Sequence, residues 1–383
     1  MEVVIAHPAD PSSPFEGGGV RYAIELSKYL AKKRVDVTLV GTKFGDNPFN
    51  DVYPNFMPIA SRRDSSWIFL LKLAFKIPFL KIPKSAIIHT CRLDFMLPFI
   101  MLSPNNPKII TSDAPLVYAR LTYPSLIFKF IMLVYQATEA WCLKWKIDRL
   151  ITDVSTAKEY YERRYPWLKA KLRIIPTSGV DLSKFRPMDK KQVRKKWGIS
   201  GSKVVVFVGR LAKVKNIDFL IRSFVLVKQR IPDAKLIIVG KGESRLEVEQ
   251  FVKKLKLDDV VFTGEIHPDK IPEILNCADV LALSSIVEGS PTAVREAIAC
   301  GVPVVTTDVG DVRQVIKNNF VGSIVGMEER KFANALIRFL NLNERKRRKV
   351  VENCVEVARE LSLESVFEKV LTVYSSLRIG NRA

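Results

Sequence analysis

Histidine and cysteine are scarce in this sequence of 383 residues. The three histidines are His7, His89 and His267, and the five cysteines are Cys91, Cys142, Cys277, Cys300 and Cys354. The cysteines are odd in number and form no CxxC pair, and no histidine has a second ligand at metal-binding spacing. These absences argue against a disulfide framework and a zinc site. We therefore expect reduced, mostly buried thiols and no metal.

Long hydrophobic runs are also absent, although hydrophobic residues make up 48% of the chain. Charged side chains interrupt each apolar run before the ~20 residues that a membrane-spanning helix needs. The opening residues, MEVVIAHP, enter a strand pattern without the charged and apolar regions of a secretory signal. The sequence thus predicts a cytoplasmic protein.

Acidic residues are few beside the basic ones, 40 against 61, which gives a formal net charge of +21. Such an excess is typical of proteins that contact nucleic acid, an anionic membrane surface or polyanionic ligands. Most of it lies in residues 51–200, where no nucleic-acid motif occurs. A nucleic-acid binder is thus suggested by charge alone, and we predict no such partner.

Two series of alternating strand and helix patterns divide the chain. The first, residues 1–185, opens with the strand VVIA, a glycine triplet, an amphipathic helix and the strand VDVTLV. The stretch 183–203 is polar and basic, which suggests a linker with one short helix. In the second series, residues 186–362, the regular alternation favours right-handed crossovers and a doubly wound parallel sheet. A last helix, about 363–383, is expected to return to the first domain.

The densest group of polar candidates follows the strand pattern DVLALS. Glu288 lies in the loop before a helix pattern that runs from Pro291 to Ala299, and Glu296 lies about one and a half turns inside it, with Ser290 as the expected N-cap. The amides expected to be free at this helix start belong to Thr292, Ala293 and Val294. The segment thus offers carboxylates for sugar hydroxyls and N–H groups for phosphate oxygens.

A second group follows the strand VVVFVG. Gly209 allows a ligand to approach the backbone, Arg210 can donate two hydrogen bonds to a phosphate, and Lys215 adds a mobile positive charge. Parallel strands gather ligands at their carboxyl ends. We therefore expect both groups to meet around one diphosphate.

These motifs occur in a specific order: GRL-x3-K, the turn Gly240 to Gly242, VVFTG, and EG-x6-E-A-x-A-x-G-x-P-V-V-T-T-D-x-G. In that order they resemble a GT-B glycosyltransferase, similar to family 4. The resemblance implies an α/β fold of two Rossmann-like domains that face each other across a cleft. It also implies that the first domain binds the acceptor and the second a nucleotide diphosphate sugar, with a UDP- or GDP-sugar as donor.

The resemblance also implies individual roles. Arg210 and Lys215 match the diphosphate-binding pair, Glu288 the glutamate beside the donor sugar, and Glu296 the one that holds the ribose hydroxyls. Further donor contacts fall on Gly18, Gly19, Gly240, Gly264, Ile266, Ser290, Pro291, Thr292, Ala293 and Val294. Relatives with this glutamate pair retain the anomeric configuration and need no metal.

One motif departs from the family. Relatives carry a T-x-H pattern where this chain has Thr111-Ser112-Asp113. Asp113 either orients or deprotonates the acceptor hydroxyl or is a capping carboxylate. His89 is a further ambiguous candidate, whereas His7 and His267 are expected to be loop residues without a role in the site.

A basic, aromatic-rich segment occupies residues 62–84, with WIFLLKLAFKIPFLKIPK at 67–84. Such a pattern suits a helix in the interface of an anionic membrane, and Leu126 to Val134 extend the same character. The alternative is an ordinary buried helix whose lysines reach outward. On the first hypothesis the protein is peripheral on the inner face of the membrane and its acceptor is lipid-linked.

The predicted function is a retaining, metal-independent glycosyltransferase that acts on a hydroxyl of a glycan or lipid-linked acceptor. Two alternatives share the fold: another sugar-nucleotide enzyme, such as an epimerase or phosphorylase, and a non-catalytic sugar-nucleotide-binding protein. Assays of acceptor-free conversion, phosphate consumption and donor hydrolysis separate these alternatives.

Overall fold

The computed structural model describes residues 1–10, 18–43, 55–61, 64–112, 126–152, 155–199 and 203–380. The chain forms two compact units. The first comprises Met1–Thr177 and Val366–Ala383, and the second Ser178–Ser365.

The first unit is built around a parallel sheet. Its strands are β1 (Glu2–Ala6), β2 (Asp36–Lys43), β3 (Phe56–Ser61), β4 (Ile87–Thr90), β5 (Lys108–Thr111), β6 (Arg149–Thr152) and β7 (Leu172–Ile174). They lie in the order β3-β2-β1-β4-β5-β6-β7. Its helices are α1 (Gly18–Lys32), α2 (Ser66–Lys76), α3 (Leu93–Leu102), α4 (Leu126–Trp145) and α5 (Ser155–Arg164). Strands β4 and β5 are buried along their whole length, as expected for parallel strands covered on both faces.

The second unit repeats this architecture. Its strands are β8 (Lys203–Val208), β9 (Ala234–Val239), β10 (Val260–Gly264), β11 (Val280–Leu283), β12 (Val304–Thr306) and β13 (Gly322–Ile324). They lie in the order β10-β9-β8-β11-β12-β13, with parallel pairing. Its helices are α6 (Lys190–Lys196), α7 (Ile217–Arg230), α8 (Arg245–Lys254), α9 (Ile271–Cys277), α10 (Thr292–Ala299), α11 (Val312–Val315), α12 (Glu329–Leu340) and α13 (Glu344–Glu360). The predicted fold of two doubly wound parallel-sheet domains is confirmed.

The basic stretch after residue 183 does not form an open linker. Helix α6 lies in the second unit, and Asp189 caps it by accepting hydrogen bonds from the backbone of Lys191 and Gln192. Lys190 and Arg194 both bind the buried carboxylate of Asp279, at 2.8 Å each. Although burial alone would raise the pKa of Asp279, the neighbouring positive charges lower it to about 2. Two of the chain's basic residues therefore stabilise the second unit by compensating a buried acid.

All five cysteines are free thiols, and only Cys91 is partly exposed. No helix within the described ranges combines the length and apolar character needed to span a bilayer.

The last helix, α14 (Leu363–Gly380), begins in the second unit and continues into the first, as predicted. His89 on β4 joins it to the sheet. One ring nitrogen, Nδ1, lies 2.6 Å from the hydroxyl of Tyr374 on α14, and Nε2 lies 2.7 Å from the hydroxyl of Thr111 on β5. Both ring nitrogens are thus engaged inside the core, which gives His89 a structural role.

We expect the stability of the first unit to fall in mild acid because of two buried histidines. Burial lowers the pKa of His89 to about 3, and burial together with the charge of Arg92 lowers the pKa of His7 to about 3. An unfolded histidine binds a proton below about pH 6.5, whereas these folded ones stay neutral until about pH 3. Unfolding then takes up protons, so the free energy of unfolding declines as the pH falls through this window.

The expected slope is about 1.4 kcal/mol per pH unit for each buried histidine. Urea unfolding between about pH 6 and pH 4.5 should therefore show a shallower slope in His7→Gln and His89→Gln. The exposed His267 provides the matched control, and His267→Gln should keep the wild-type slope. Equal slopes in all four proteins would contradict this assignment.

Candidate functional site

The predicted site residues of the second unit lie at the carboxyl edge of its sheet. The strand order reverses between the neighbours β8 and β11, because the chain moves outward through β9 and β10 and returns to place β11 beside β8. Loops that follow strands on the two sides of such a reversal leave a crevice between them, where doubly wound sheets bind ligands. Gly209 follows β8, and Glu288 lies in the loop after β11.

A buried ion pair joins these two loops. The ammonium of Lys215 contacts the carboxylate of Glu288, and both side chains are largely buried. The hydroxyl of Ser285 donates to Glu288 Oε1 at 2.6 Å, and that of Ser284 donates to the Lys215 carbonyl at 2.8 Å. Two residues that are 73 positions apart in the sequence are thereby fixed in one place.

Arg210 differs from Lys215 in its exposure. Its side chain is 66% exposed, and Nη1 lies 3.7 Å from Oε1 of the equally exposed Glu243. A solvated ion pair at that distance contributes little, so the guanidinium can reorient toward a ligand at little cost. The next two residues, Leu211 and Ala212, are buried and anchor the loop.

The start of α10 corrects one prediction. The helix begins at Thr292, and Pro291 rather than Ser290 is the N-cap, without a side-chain capping bond. The Ser290 hydroxyl instead donates to Asp311 Oδ2 at 2.9 Å and lies 2.7 Å from the hydroxyl of Ser178. These partners hold Ser290 away from the capping position.

The same helix start offers two amides rather than three. Val294 donates its N–H to the Pro291 carbonyl at 3.2 Å. Thr292 and Ala293 precede that bond and have no acceptor within the helix. Their N–H groups are suited to an anion at the positive end of the helix dipole.

Sequence reasoning missed the buried pair that supports this segment. Arg295 and Asp311 are 1% and 0% exposed, and two guanidinium nitrogens face the two carboxylate oxygens. Glu296, beside Arg295, is also buried. An arginine inside a helix surrounded by buried strands is the signal that could have revealed the pair, because it requires a buried acid.

Two glycines let loops approach closely at this edge. Gly240 has φ +136°, and a Cβ there would lie 2.0 Å from the Gly209 carbonyl oxygen. Gly310 has φ +56°, and a Cβ there would lie 1.9 Å from the Gly289 carbonyl oxygen. Side chains at these positions would force the loops apart.

The predicted base pocket follows β9 and β10. The N–H of Gly240 donates to the carbonyl of Gly264 at 2.8 Å, so these two strand ends are joined. Ile266, two residues further, is half-buried against the core. Their contact with a base stays a prediction.

The candidates of the first unit are less completely placed. Gly18 begins α1, and a Cβ on Gly19 would lie 3.5 Å from His7 Nε2. Asp113 lies outside the described residues, so its role stays a prediction.

Two family models match the chain, one to each half. The model for Glycosyltransferase Family 4 matches residues 16–184, and that for Glycosyl transferases group 1 matches residues 189–357.

Curated relatives match over part of their length. A protein of Bacillus subtilis strain 168 named as a glycosyltransferase, YtcC, is 31% identical over 248 residues, which cover 58% of this chain and 61% of YtcC. Across four such relatives, the matched stretch spans 40% to 66% of the relative's length.

Solved structures match over nearly the whole chain. Sucrose-phosphate synthase from Thermosynechococcus elongatus superposes with a TM-score of 0.80, 22% identity and 99% coverage of both chains. HepE of Anabaena, solved in complex with UDP and glucose, gives a TM-score of 0.75 and 17% identity, with 98% of this chain and 99% of HepE covered. At this identity the likeness establishes the fold, and the two family models identify the lineage. The chain belongs to the GT-B glycosyltransferases of group 1 and family 4.

Proposed function

We propose that this protein transfers a sugar from a nucleotide diphosphate sugar to a hydroxyl acceptor, with retention of the anomeric configuration and without a metal ion. The observation that carries the proposal is the Lys215–Glu288 ion pair, which joins the two loops at the strand reversal. On this proposal, Lys215 supplies a cation for the diphosphate and the neighbouring Glu288 a carboxylate for the donor sugar.

The roles follow from charge and position. Cleavage of the anomeric C–O bond leaves an oxocarbenium-like sugar and a diphosphate anion. Arg210, Lys215 and the amides of Thr292 and Ala293 stabilise that anion as it departs, because preorganised donors act where the charge develops. Glu296 holds the ribose hydroxyls, and Glu288 contacts the sugar while it positions Lys215. These charges take the part that a divalent cation has in metal-dependent transferases.

The donor is a UDP- or GDP-sugar and the acceptor a glycan or lipid-linked saccharide bound by the first unit. HepE, which shares the fold, was solved with UDP-glucose as well, and this likeness favours a UDP-sugar. Asp113 is the proposed acceptor-orienting group.

A panel of nucleotide sugars tests the donor. We expect one UDP- or GDP-sugar to raise the unfolding midpoint, because a ligand that binds only the folded state stabilises it. With that donor, proton NMR of the product formed on an added acceptor should show the donor's anomeric configuration, and EDTA should not change the rate. Inversion or EDTA inhibition would refute the corresponding part of the proposal.

The same assay separates the alternatives. Donor converted to an isomer without acceptor identifies an epimerase, and phosphate-dependent turnover identifies a phosphorylase. Binding without hydrolysis or transfer identifies a non-catalytic protein.

A further inference from the structure

Helix α2 and the 3-10 turn that follows it, Ile77–Phe79, have two apolar faces. The inner face packs into the core of the first unit through Phe69, Leu73 and Ile77, which recur every fourth residue. This spacing places them on one side of the helix. Burial of these three side chains explains why the helix packs against the first unit.

The outer face is apolar as well and is exposed. Trp67, Leu71 and Phe75 are 74%, 71% and 75% exposed, again at four-residue spacing. Phe79 continues the stripe, with its ring centroid 5.9 Å from that of Phe75. The hypothesis of an ordinary buried helix with outward-reaching lysines does not explain this second stripe. Soluble monomers rarely expose a contiguous apolar patch without a binding role.

Positive charges accompany the exposed stripe. The sequence from Ser65 to Leu93 holds no Asp or Glu. Within it Lys72, Lys76, Lys81 and Lys84 are exposed, and Lys72 also pairs with Asp64 at 2.7 Å. By helix geometry Lys72 and Lys76 border the apolar stripe. We call these four lysines, together with Trp67, Ile68, Leu71, Phe75 and Phe79, the α2 surface. Residues 62 and 63, which the sequence analysis included in this segment, lie outside the described residues.

We infer that the α2 surface binds an anionic phospholipid membrane, with its aromatic and aliphatic side chains inserted at the level of the headgroups. A second copy of the chain fits poorly, because symmetric contact would bring the lysines of both copies together. An anionic bilayer satisfies both properties at once, since it solvates the apolar stripe and attracts the lysines around it. The inference does not depend on the proposed transferase activity.

Vesicle co-sedimentation of the full chain, without substrates, tests it. We expect binding to phosphatidylcholine vesicles that contain phosphatidylglycerol, and much weaker binding to phosphatidylcholine alone. Leu71→Ser with Phe75→Ser should lower the affinity at least about a hundredfold. Lys76→Gln and Lys84→Gln should each lower it about fivefold. All four side chains are exposed, so the fold should persist.

Matched controls come from the second unit. Leu246 is an exposed leucine on α8, and Lys253 and Lys254 are exposed lysines at its end. Leu246→Ser, Lys253→Gln and Lys254→Gln should keep wild-type binding. Trp67 adds a direct readout, because vesicles should shift tryptophan emission to the blue in the wild type and less in Trp67→Phe.

Two results would overturn the inference. One is vesicle binding that the α2 substitutions leave unchanged. The other is the absence of vesicle binding. If the protein instead dimerised with rising concentration, and Leu71→Ser with Phe75→Ser abolished the dimer, the α2 surface would bind a second copy of the chain.

Discussion

Replacement of Lys215 by alanine should lower turnover at least about a hundredfold, because removal of one preorganised donor to a developing anion costs ~3–4 kcal/mol in the barrier. Arg210→Ala should have a comparable effect. Steady-state kinetics with the donor identified by the thermal-shift panel measures both. Lys213 is exposed in the 3-10 turn Lys213–Lys215, which also contains Lys215, so it is the matched control, and Lys213→Ala should keep near-wild-type turnover.

A second measurement separates chemistry from folding. Lys215→Ala leaves the largely buried Glu288 with the Ser285 hydroxyl but without its cation, so some loss of stability is expected. Lys215→Ala with Glu288→Gln removes that unpaired charge and should recover stability without recovering turnover. Full turnover in Lys215→Ala or Arg210→Ala would refute the assignment of that residue to the diphosphate.

Asp311→Asn should lower the free energy of unfolding by about 3–5 kcal/mol, because it leaves the fully buried Arg295 without a counter-charge. The hydrogen bond from Ser290 to Asp311 is perturbed at the same time, so the segment before α10 should lose its position and donor binding should weaken. Urea unfolding and calorimetric titration with the nucleotide measure the two effects.

The chain contains a matched pair for comparison. Asp308, three residues before Asp311, forms an ion pair with Arg313. In this pair the side chains of Asp308 and Arg313 are 47% and 73% exposed. Asp308→Asn should therefore change stability by about 1 kcal/mol or less. A similar loss in both variants would show that burial is not the cause. Replacement of both Arg295 and Asp311 by apolar residues of similar size should restore much of the stability, since the pair itself adds little beyond mutual compensation.

Basic residues of the chain lie together at three places described above. Part of the excess lies around Asp279, where two cations of α6 compensate a buried acid. Lys215 and Arg210 lie at the proposed diphosphate site, and four exposed lysines belong to the α2 surface. The cations at the buried acid, at the proposed diphosphate site and on the α2 surface are thus part of the basic excess behind the net charge of +21.

The sequence by itself determined the fold class and the identity of the motifs. Alternating apolar patterns specify strands and helices locally, and GRL-x3-K and the two glutamates lie just beyond strand patterns, so their meeting at one sheet edge follows from parallel topology. The pattern did not reveal β3, whose six residues include Pro58 and only one buried side chain, or β13, which has only three residues to establish a period. It also misplaced the N-cap of α10, because serine is a good cap in general and the competing partners Ser178 and Asp311 are distant in sequence.

Tertiary structure alone decided which side chains pair and which face of each helix is covered. The Lys215–Glu288 and Arg295–Asp311 pairs and the bond of His89 to Tyr374 join residues on different elements. Spacing along the chain does not encode such contacts, since they depend on strand order and on where each loop ends. The same reason applies to α2: its residues repeat an apolar pattern on two sides, and only the packing of the first unit shows that one side is core and the other exposed.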